Sequence, residues 1–196
     1  AKLLLTIQRA LEAHKLTEEN LGLRRQSSPS SEPIGASESM RMLKAQVERI
    51  AAHDTSVLIT GESGVGKEVF ARYLHRSSAR GDGPFVRVSV ASLANQNSQT
   101  ELFGTEDGAT VHFGSLERAN GGTLFLADIA DMDLGLQARL LGALQHGTFL
   151  RIGGNTPVTI DARVVAATSH DLAEEVGIGD FREDLYYHLN VVPVEV

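Results

Sequence analysis

Cysteine is absent from the 196 residues, which excludes disulfide staples and thiolate metal sites and fits a cytoplasmic protein. Positive charge is in deficit: 18 Lys and Arg stand against 25 Asp and Glu, for a formal net charge of -7, so the chain carries no overall basic footprint for nucleic acid. Any DNA contact is expected from parts outside it. No signal peptide and no apolar run long enough to cross a bilayer is present, which speaks against a membrane role. The chain also lacks an initial Met and stops inside the apolar run NVVPVEV, so it reads as a piece of a longer protein. What remains is enough for one α/β domain with its own core plus an appended segment.

Residues 1–25 read as one helix, because Leu4, Ile7, Leu11, His14, Glu18 and Leu21 recur at alternating spacings of three and four. An amphipathic helix that packs on a preceding domain and a short dimerising coil both satisfy that pattern. RRQSSPSSEP, Arg24 to Pro33, has the Ser and Pro density of a linker, so a flexible connection over 26–33 is expected and a domain over 34–196.

From Ile34 onward helices and strands alternate. Helices are predicted over Met40–Ala52, Gly66–Ser78 and Leu134–His146, with short ones after Asp171 and Arg182. Strands are predicted at Ser56–Thr60, Phe85–Val88, Thr123–Leu126, Arg163–Thr168 and Val191–Val196. Short apolar strands separated by helices argue for a parallel sheet covered on both faces. Thr148–Ile152 and Thr156–Ile160 flank Gly153-Gly154 and read as a hairpin.

VLITGESGVGKE, Val57 to Glu68, runs from a buried strand into G-x-x-x-x-G-K and then a helix. Glycines at Gly61, Gly64 and Gly66 let backbone N–H groups around Glu62, Ser63 and Val65 turn toward a β-phosphate. The new helix adds its positive end, and Lys67 reaches the β and γ oxygens. A Gly-rich turn with a surface lysine is the plainer alternative. After Lys67 comes Glu68, where the general motif places a hydroxyl for magnesium, so magnesium is expected to find other ligands. Seven histidines suggest metal at first, yet His53, His75, His112, His146, His170 and His188 show no ligand spacing and are read as structural or surface residues. Arg72, Arg76 and Arg80 recur at fourfold spacing and read as a solvated or subunit-facing stripe.

GESGVGKE, ELFG (Glu101 to Gly104), GGTLFL (Gly121 to Leu126), LLGALQHGTFLRIGG (Leu140 to Gly154) and FREDLYYHLNVVPV (Phe181 to Val194) stand in this order. Together they resemble the AAA+ domain of bacterial enhancer-binding proteins, the sigma-54-dependent transcriptional activators. ELFGTE and LADIADM resemble in particular the nitrogen-regulation response regulators of that class. The resemblance covers Ile34 to Val196 and implies a P-loop NTPase fold. It implies ATP or ADP on Gly61 to Glu68 against Ile34 and Gly35, with Met40 on the adenine side and Asp128 and Thr168 facing the γ-phosphate. Magnesium would fall to Asp128. The same resemblance makes residues 1–25 the end of a receiver domain and its linker helix. It implies a homo-oligomer, dimer or ring, and a sensor histidine kinase acting through that receiver. It also implies DNA bound by a helix-turn-helix outside this chain, and a contact with RNA polymerase.

The departures from the family cluster around one phosphate. The family's strand ends Asp-Glu, the first acid helping to hold the magnesium water shell and the second polarising the attacking water; here it ends Ala127-Asp128. Neighbouring strand side chains point to opposite faces, so Asp128 is not expected to replace the acid lost at Ala127. As a stand-in for Glu it is one methylene short, and a misplacement of about 1 Å costs on the order of a hundredfold in rate. Ser89 stands for the family's Asn, Thr168-Ser169 for its Thr-Asn pair, and His188 for the second of two arginines of which Arg182 is the first. The GAFTGA loop that touches the sigma factor is reduced to TEDGATVHFGSLERA, Thr105 to Ala119, and Phe113 is expected to pack against the loop base. The expectation is a nucleotide-tuned assembly with weak or no hydrolysis, with Asp128 and Arg182 as the candidate catalytic residues. The alternative is an active ATPase that remodels the polymerase holoenzyme. A small-molecule P-loop kinase fits less well, since no phosphoacceptor pocket is suggested.

Overall fold

The computed structural model describes residues 32–93 and 98–196. The expected helix over 1–25 and most of the expected linker lie outside the described residues.

Helix α1 spans Glu38–Ala51. Ser37 caps it, its hydroxyl accepting from the Met40 amide at 3.3 Å, which satisfies one of the orphan N–H groups of the first turn. At the other end Arg163, itself buried, donates to the carbonyls of Ile50 at 3.1 Å and Ala51 at 3.4 Å. A guanidinium therefore meets the negative end of the helix, where cations are favoured.

Strand β1, Val57–Thr60, runs into α2, Lys67–Arg76. Then follow β2, Phe85–Ser89, a 3-10 turn over Val90–Leu93, and the six-residue helix α3, Ser98–Phe103. A hairpin of β3, Gly104–Asp107, and β4, Thr110–Phe113, leads to the single turn α4, Ser115–Arg118. Strand β5, Thr123–Ala127, is followed by a 3-10 turn over Ile129–Asp131 and by α5, Leu134–His146. A second hairpin, β6 Thr148–Leu150 and β7 Pro157–Thr159, precedes β8, Arg163–Thr168. The described chain closes with α6, Leu172–Ile178, α7, Glu183–Leu189, and β9, Val192–Glu195.

The main sheet is parallel throughout, in the order β2-β5-β8-β1-β9. Its inner strands β5, β8 and β1 are buried on both sides because both sides are covered. On one face Val57, Ile59, Phe125, Ala127, Val165 and Ala167 meet Val47 and Ile50 of α1 and Phe70 and Leu74 of α2. On the other, Leu58, Leu124, Leu126, Val164 and Ala166 meet Leu136 and Leu140 of α5 and Leu185 and Leu189 of α7. Alternate residues of one strand thus feed two cores, and burying each large side chain is worth about 1.5–3 kcal/mol.

The two hairpins are joined to each other. Ile152 donates to the Gly104 carbonyl at 3.0 Å and accepts from the Glu106 amide at 2.9 Å. Across that join Arg151 reaches Glu106 at 2.9 Å and Glu117 at 2.7 Å, with little of any of the three side chains exposed. The stripe expected from Arg72, Arg76 and Arg80 does not form, because α2 ends at Arg76. Arg80 instead lies in the following turn and binds Asp54 at 2.7 Å and Asp161 at 2.8 Å. Phe113 also differs from expectation: it is 62% exposed, with the Arg151 guanidinium 5.6 Å from its ring centre.

Candidate functional site

The loop between β1 and α2 turns on three left-handed glycines, Gly61, Gly64 and Gly66, a conformation side-chain-bearing residues avoid. At Gly61 space is also short, since a Cβ would stand 2.5 Å from the Val196 carbonyl. Gly66 caps α2 without a side-chain hydrogen bond, so the positive end of the helix is left to the loop, the arrangement that attracts phosphate. Lys67 lies against this loop, its Nζ donating to the carbonyls of Gly61 at 2.7 Å and Glu62 at 2.8 Å. Glu62, Ser63 and Gly64 are exposed, and Val65 is 41% exposed, so the loop faces solvent along its length.

The side chain after the lysine is committed elsewhere. Glu68 accepts from Arg72 through one oxygen, at 3.0 and 2.8 Å, and from Arg87 of β2 through the other, at 2.8 Å. Arg72 in turn lies over the Phe85 ring at 4.4 Å.

Neighbouring strand ends complete the crevice. Thr60 pairs in register with Thr168, Ala167 with Ala127, and Ala127 with Ser89. The structure thus brings the phosphate loop, Thr168, Ala127 and Ser89 to one edge of the sheet, the carboxyl end where open α/β sheets bind ligands. Ala127 is buried on the face that carries α1 and α2.

Asp128 departs from the strand argument. The strand stops at Ala127, and Asp128 adopts φ 57° and ψ 51°, the only non-glycine residue among those described with a positive φ. Its direction is set by a left-handed turn and not by the pleat. Thr168 is buried and accepts from the backbone amide of His170 at 2.9 Å. Ile34 is 89% exposed, while Gly35 is held close to Met40, whose Cγ would meet a Cβ there at 2.9 Å.

Magnesium, which the family resemblance implies, finds few donors on the chain itself. Ala127 offers no oxygen, both oxygens of Glu68 are held by arginines, and no group of three His, Cys, Asp or Glu gathers to hold a metal among the described residues. Magnesium at a nucleotide keeps several waters and takes one or two carboxylates beside the phosphates, a part that falls to Asp128 here.

Arg182 sits at the start of α7, its amide donating to Gln137 at 2.8 Å and its guanidinium held by Asp184 at 3.0 and 2.7 Å. Each raises or lowers the other's pKa in the expected sense: Arg182 upward, Asp184 downward, chiefly through that hydrogen bond. His188 lines a cavity with Asp54, Thr55 and Arg163 at the opposite end of the sheet from the phosphate loop, so the structure does not bring it to this chain's own crevice. Gln137 was not legible as a site residue. Buried in α5, its amide also donates to the carbonyls of Met132 at 2.6 Å and Asp180 at 3.0 Å, tying the Arg182 segment to the turn after Asp128.

With this geometry in place, likeness to other proteins becomes informative. The model of the sigma-54 interaction domain matches residues 33–195. The chain belongs to the sigma-54 interaction domain family. It is 42% identical over 197 residues to the nitrogen assimilation regulatory protein NtrX of Azorhizobium caulinodans, covering 100% of this chain and 43% of that protein. It is 45% identical over 171 residues to the DNA-binding transcriptional regulator NtrC of Proteus hauseri, covering 85% of this chain and 36% of that one. Among solved structures, NtrX of Brucella abortus in complex with ADP matches with a TM-score of 0.83 at 40% identity, over 100% of this chain and 44% of that one. The same protein in complex with ATP matches at a TM-score of 0.82. The fold is the AAA+ P-loop NTPase fold of sigma-54 activators, and the chain spans less than half the length of these relatives. Among the described residues no helix is long and apolar enough to cross a membrane.

Proposed function

We propose that this sigma-54 interaction domain is the ATP- or ADP-binding core of a two-component, DNA-binding transcriptional regulator of nitrogen metabolism. Nucleotide state tunes how its subunits pack, with weak or no hydrolysis. The nucleotide lies on Gly61 to Glu68, beside Ile34 and Gly35, with Thr168 and Asp128 toward the γ-phosphate. Homo-oligomerisation, a sensor histidine kinase acting on a receiver, DNA reached through a helix-turn-helix and a cytoplasmic location belong to the same proposal, whereas contact with the polymerase belongs to the second reading, since the loop that makes it in the family is reduced here.

One observation carries the reading: an intact phosphate loop stands beside a β5 that ends in Ala127. Loop and helix dipole bind phosphates without an acid, whereas cleavage needs a positioned base and stabilisation of the charge that develops. Glu68, tied to Arg72 and Arg87, supplies neither. A second reading, an active ATPase that remodels polymerase, is favoured by the left-handed backbone at Asp128, because strained backbone collects at functional sites.

The binding half is tested by titrating a fluorescent ATP analogue into the full chain and into Lys67→Ala. Tight binding by the parent and a loss of about tenfold or more in the variant are expected, the scale of removing a charge-assisted contact. Equal affinity in the two proteins would remove the phosphate loop from the account.

A further inference from the structure

The end of β8 carries a side chain that the reading above leaves unused. Thr168 pairs with Thr60, whose successor Gly61 opens the phosphate loop, and Ala167 pairs with Ala127, whose successor is Asp128. The chain therefore leaves β8 between the loop and the acidic turn. The hydrogen bond from the His170 amide to the Thr168 hydroxyl, 2.9 Å, fixes how it leaves. The imidazole of His170 stands half in solvent with Nδ1 3.0 Å from Oε1 of Glu175 on α6.

Three acids act on this ring: Glu175 of α6 through its hydrogen bond, and Asp131 and Asp128 of the turn after β5 through their charge. The Glu175 hydrogen bond does most to raise the His170 pKa above its ordinary value, burial opposes it, and the two aspartates add to it. The charged form is thus held more strongly than in a free imidazole and is lost as pH rises past the raised pKa. A triphosphate entering this crevice brings one more anionic group than a diphosphate, toward Asp128 and Asp131. Lys67 meets the phosphates from the loop side, and a cation at the end of β8 adds to it in offsetting that repulsion.

We propose that His170 is a contact for the terminal phosphate of the bound nucleotide and sets the preference for a nucleoside triphosphate over a diphosphate. The inference deepens the nucleotide-binding reading and rests on it. Glu175 acts through His170 as a positioning residue, holding Nδ1 so that the other ring nitrogen is free to donate.

The test measures ATP and ADP affinity for the full chain, His170→Gln and Glu175→Gln in excess chelator, between about pH 6 and pH 8.5, a range that spans imidazole titration. ATP titrates in this range itself, so the comparison between proteins at each pH is the readout. At the low end His170→Gln is expected to lower the ATP-to-ADP affinity ratio about two- to fivefold, the scale of a partly exposed ion pair. At the high end the two proteins should converge, and Glu175→Gln should move the point of convergence to lower pH. ADP affinity should stay within about twofold throughout. A ratio that follows the same pH course in the parent and in His170→Gln would overturn the proposal while leaving nucleotide binding intact. Failure of the parent to bind either nucleotide would overturn both.

Discussion

Glu68 Oε2 accepts from Arg87 Nε at 2.8 Å, so the residue after the phosphate-loop lysine bridges α2 to β2. Its other oxygen is occupied by Arg72. A carboxylate with both oxygens held by guanidinium groups is a structural tie and not a metal ligand.

Glu68→Gln is therefore expected to lower stability by about 0.5–1 kcal/mol, modest because the side chain is partly solvated. Urea unfolding measures this. The magnesium dependence of ADP affinity should be unchanged, and a variant that abolished it would give Glu68 a role in metal binding.

Arg151, between Glu106 and Glu117, is expected to hold the β3-β4 hairpin as a fixed body against the β6-β7 hairpin. Arg151→Met should leave two carboxylates facing each other without their counter-ion and loosen the join. Hydrogen exchange reads this locally: amides of Glu106 and Ile152, both bonded across the join, should exchange about tenfold faster or more, while those of β5 and β8 hold. Uniform acceleration across the main sheet would show that the clamp supports the whole domain instead.

His75 gives the domain a pH-dependent stability. Burial pushes its pKa down to about 4, with Arg72, Arg76 and Arg163 assisting and a hydrogen bond to the Gly83 backbone opposing. Its Nδ1 lies 2.9 Å from the Thr123 hydroxyl. The unfolded chain binds this proton more readily, so the contribution is full above the ordinary imidazole pKa and is lost as pH falls from there toward 4. The loss is on the order of 2–3 kcal/mol. Urea midpoints across that range should fall with pH in the parent and lose this component in His75→Asn, which keeps a polar contact for Thr123 but does not titrate.

Much of this architecture was legible because its signals are local. The five main strands read as apolar runs, and the helix expected over Leu134–His146 forms with those bounds, capped by Asp133 and ended at a left-handed Gly147. The phosphate loop was legible because glycine, lysine and their spacing are the mechanism. The β3-β4 hairpin was not: all four residues of β4 are exposed, so no alternation marks it, and it is held by the partner hairpin and Arg151. Helices α3 and α4 are too short for a 3.6-residue period to show. Arg80 was misread because its spacing assumed that α2 continued. Gln137 and Arg163 look like surface residues until the backbone carbonyls they serve come together. Asp128 fell to a period-two argument that ends one residue too late, since the strand gives way to a left-handed turn.

Restoring the missing acids supplies a gain-of-function test. Ala127→Asp together with Asp128→Glu is expected to raise ATP turnover about tenfold or more above the parent, the lower range of what a positioned base contributes. Ser89, Ser169 and His188 hold the gain below a full general-base effect. Glu also tolerates the left-handed backbone at position 128 less well than Asp. A smaller gain from Ala127→Asp alone would identify the β5 terminus as the limiting defect.

Steady-state phosphate release by the unaltered full chain, followed as its concentration is raised to drive assembly, decides between a domain that holds ATP and one that cuts it. Release at the background level, unchanged in Asp128→Ala while nucleotide binding persists, is the result expected here. Turnover that grows with assembly to about 1 per second or faster, and disappears in Asp128→Ala, would contradict it.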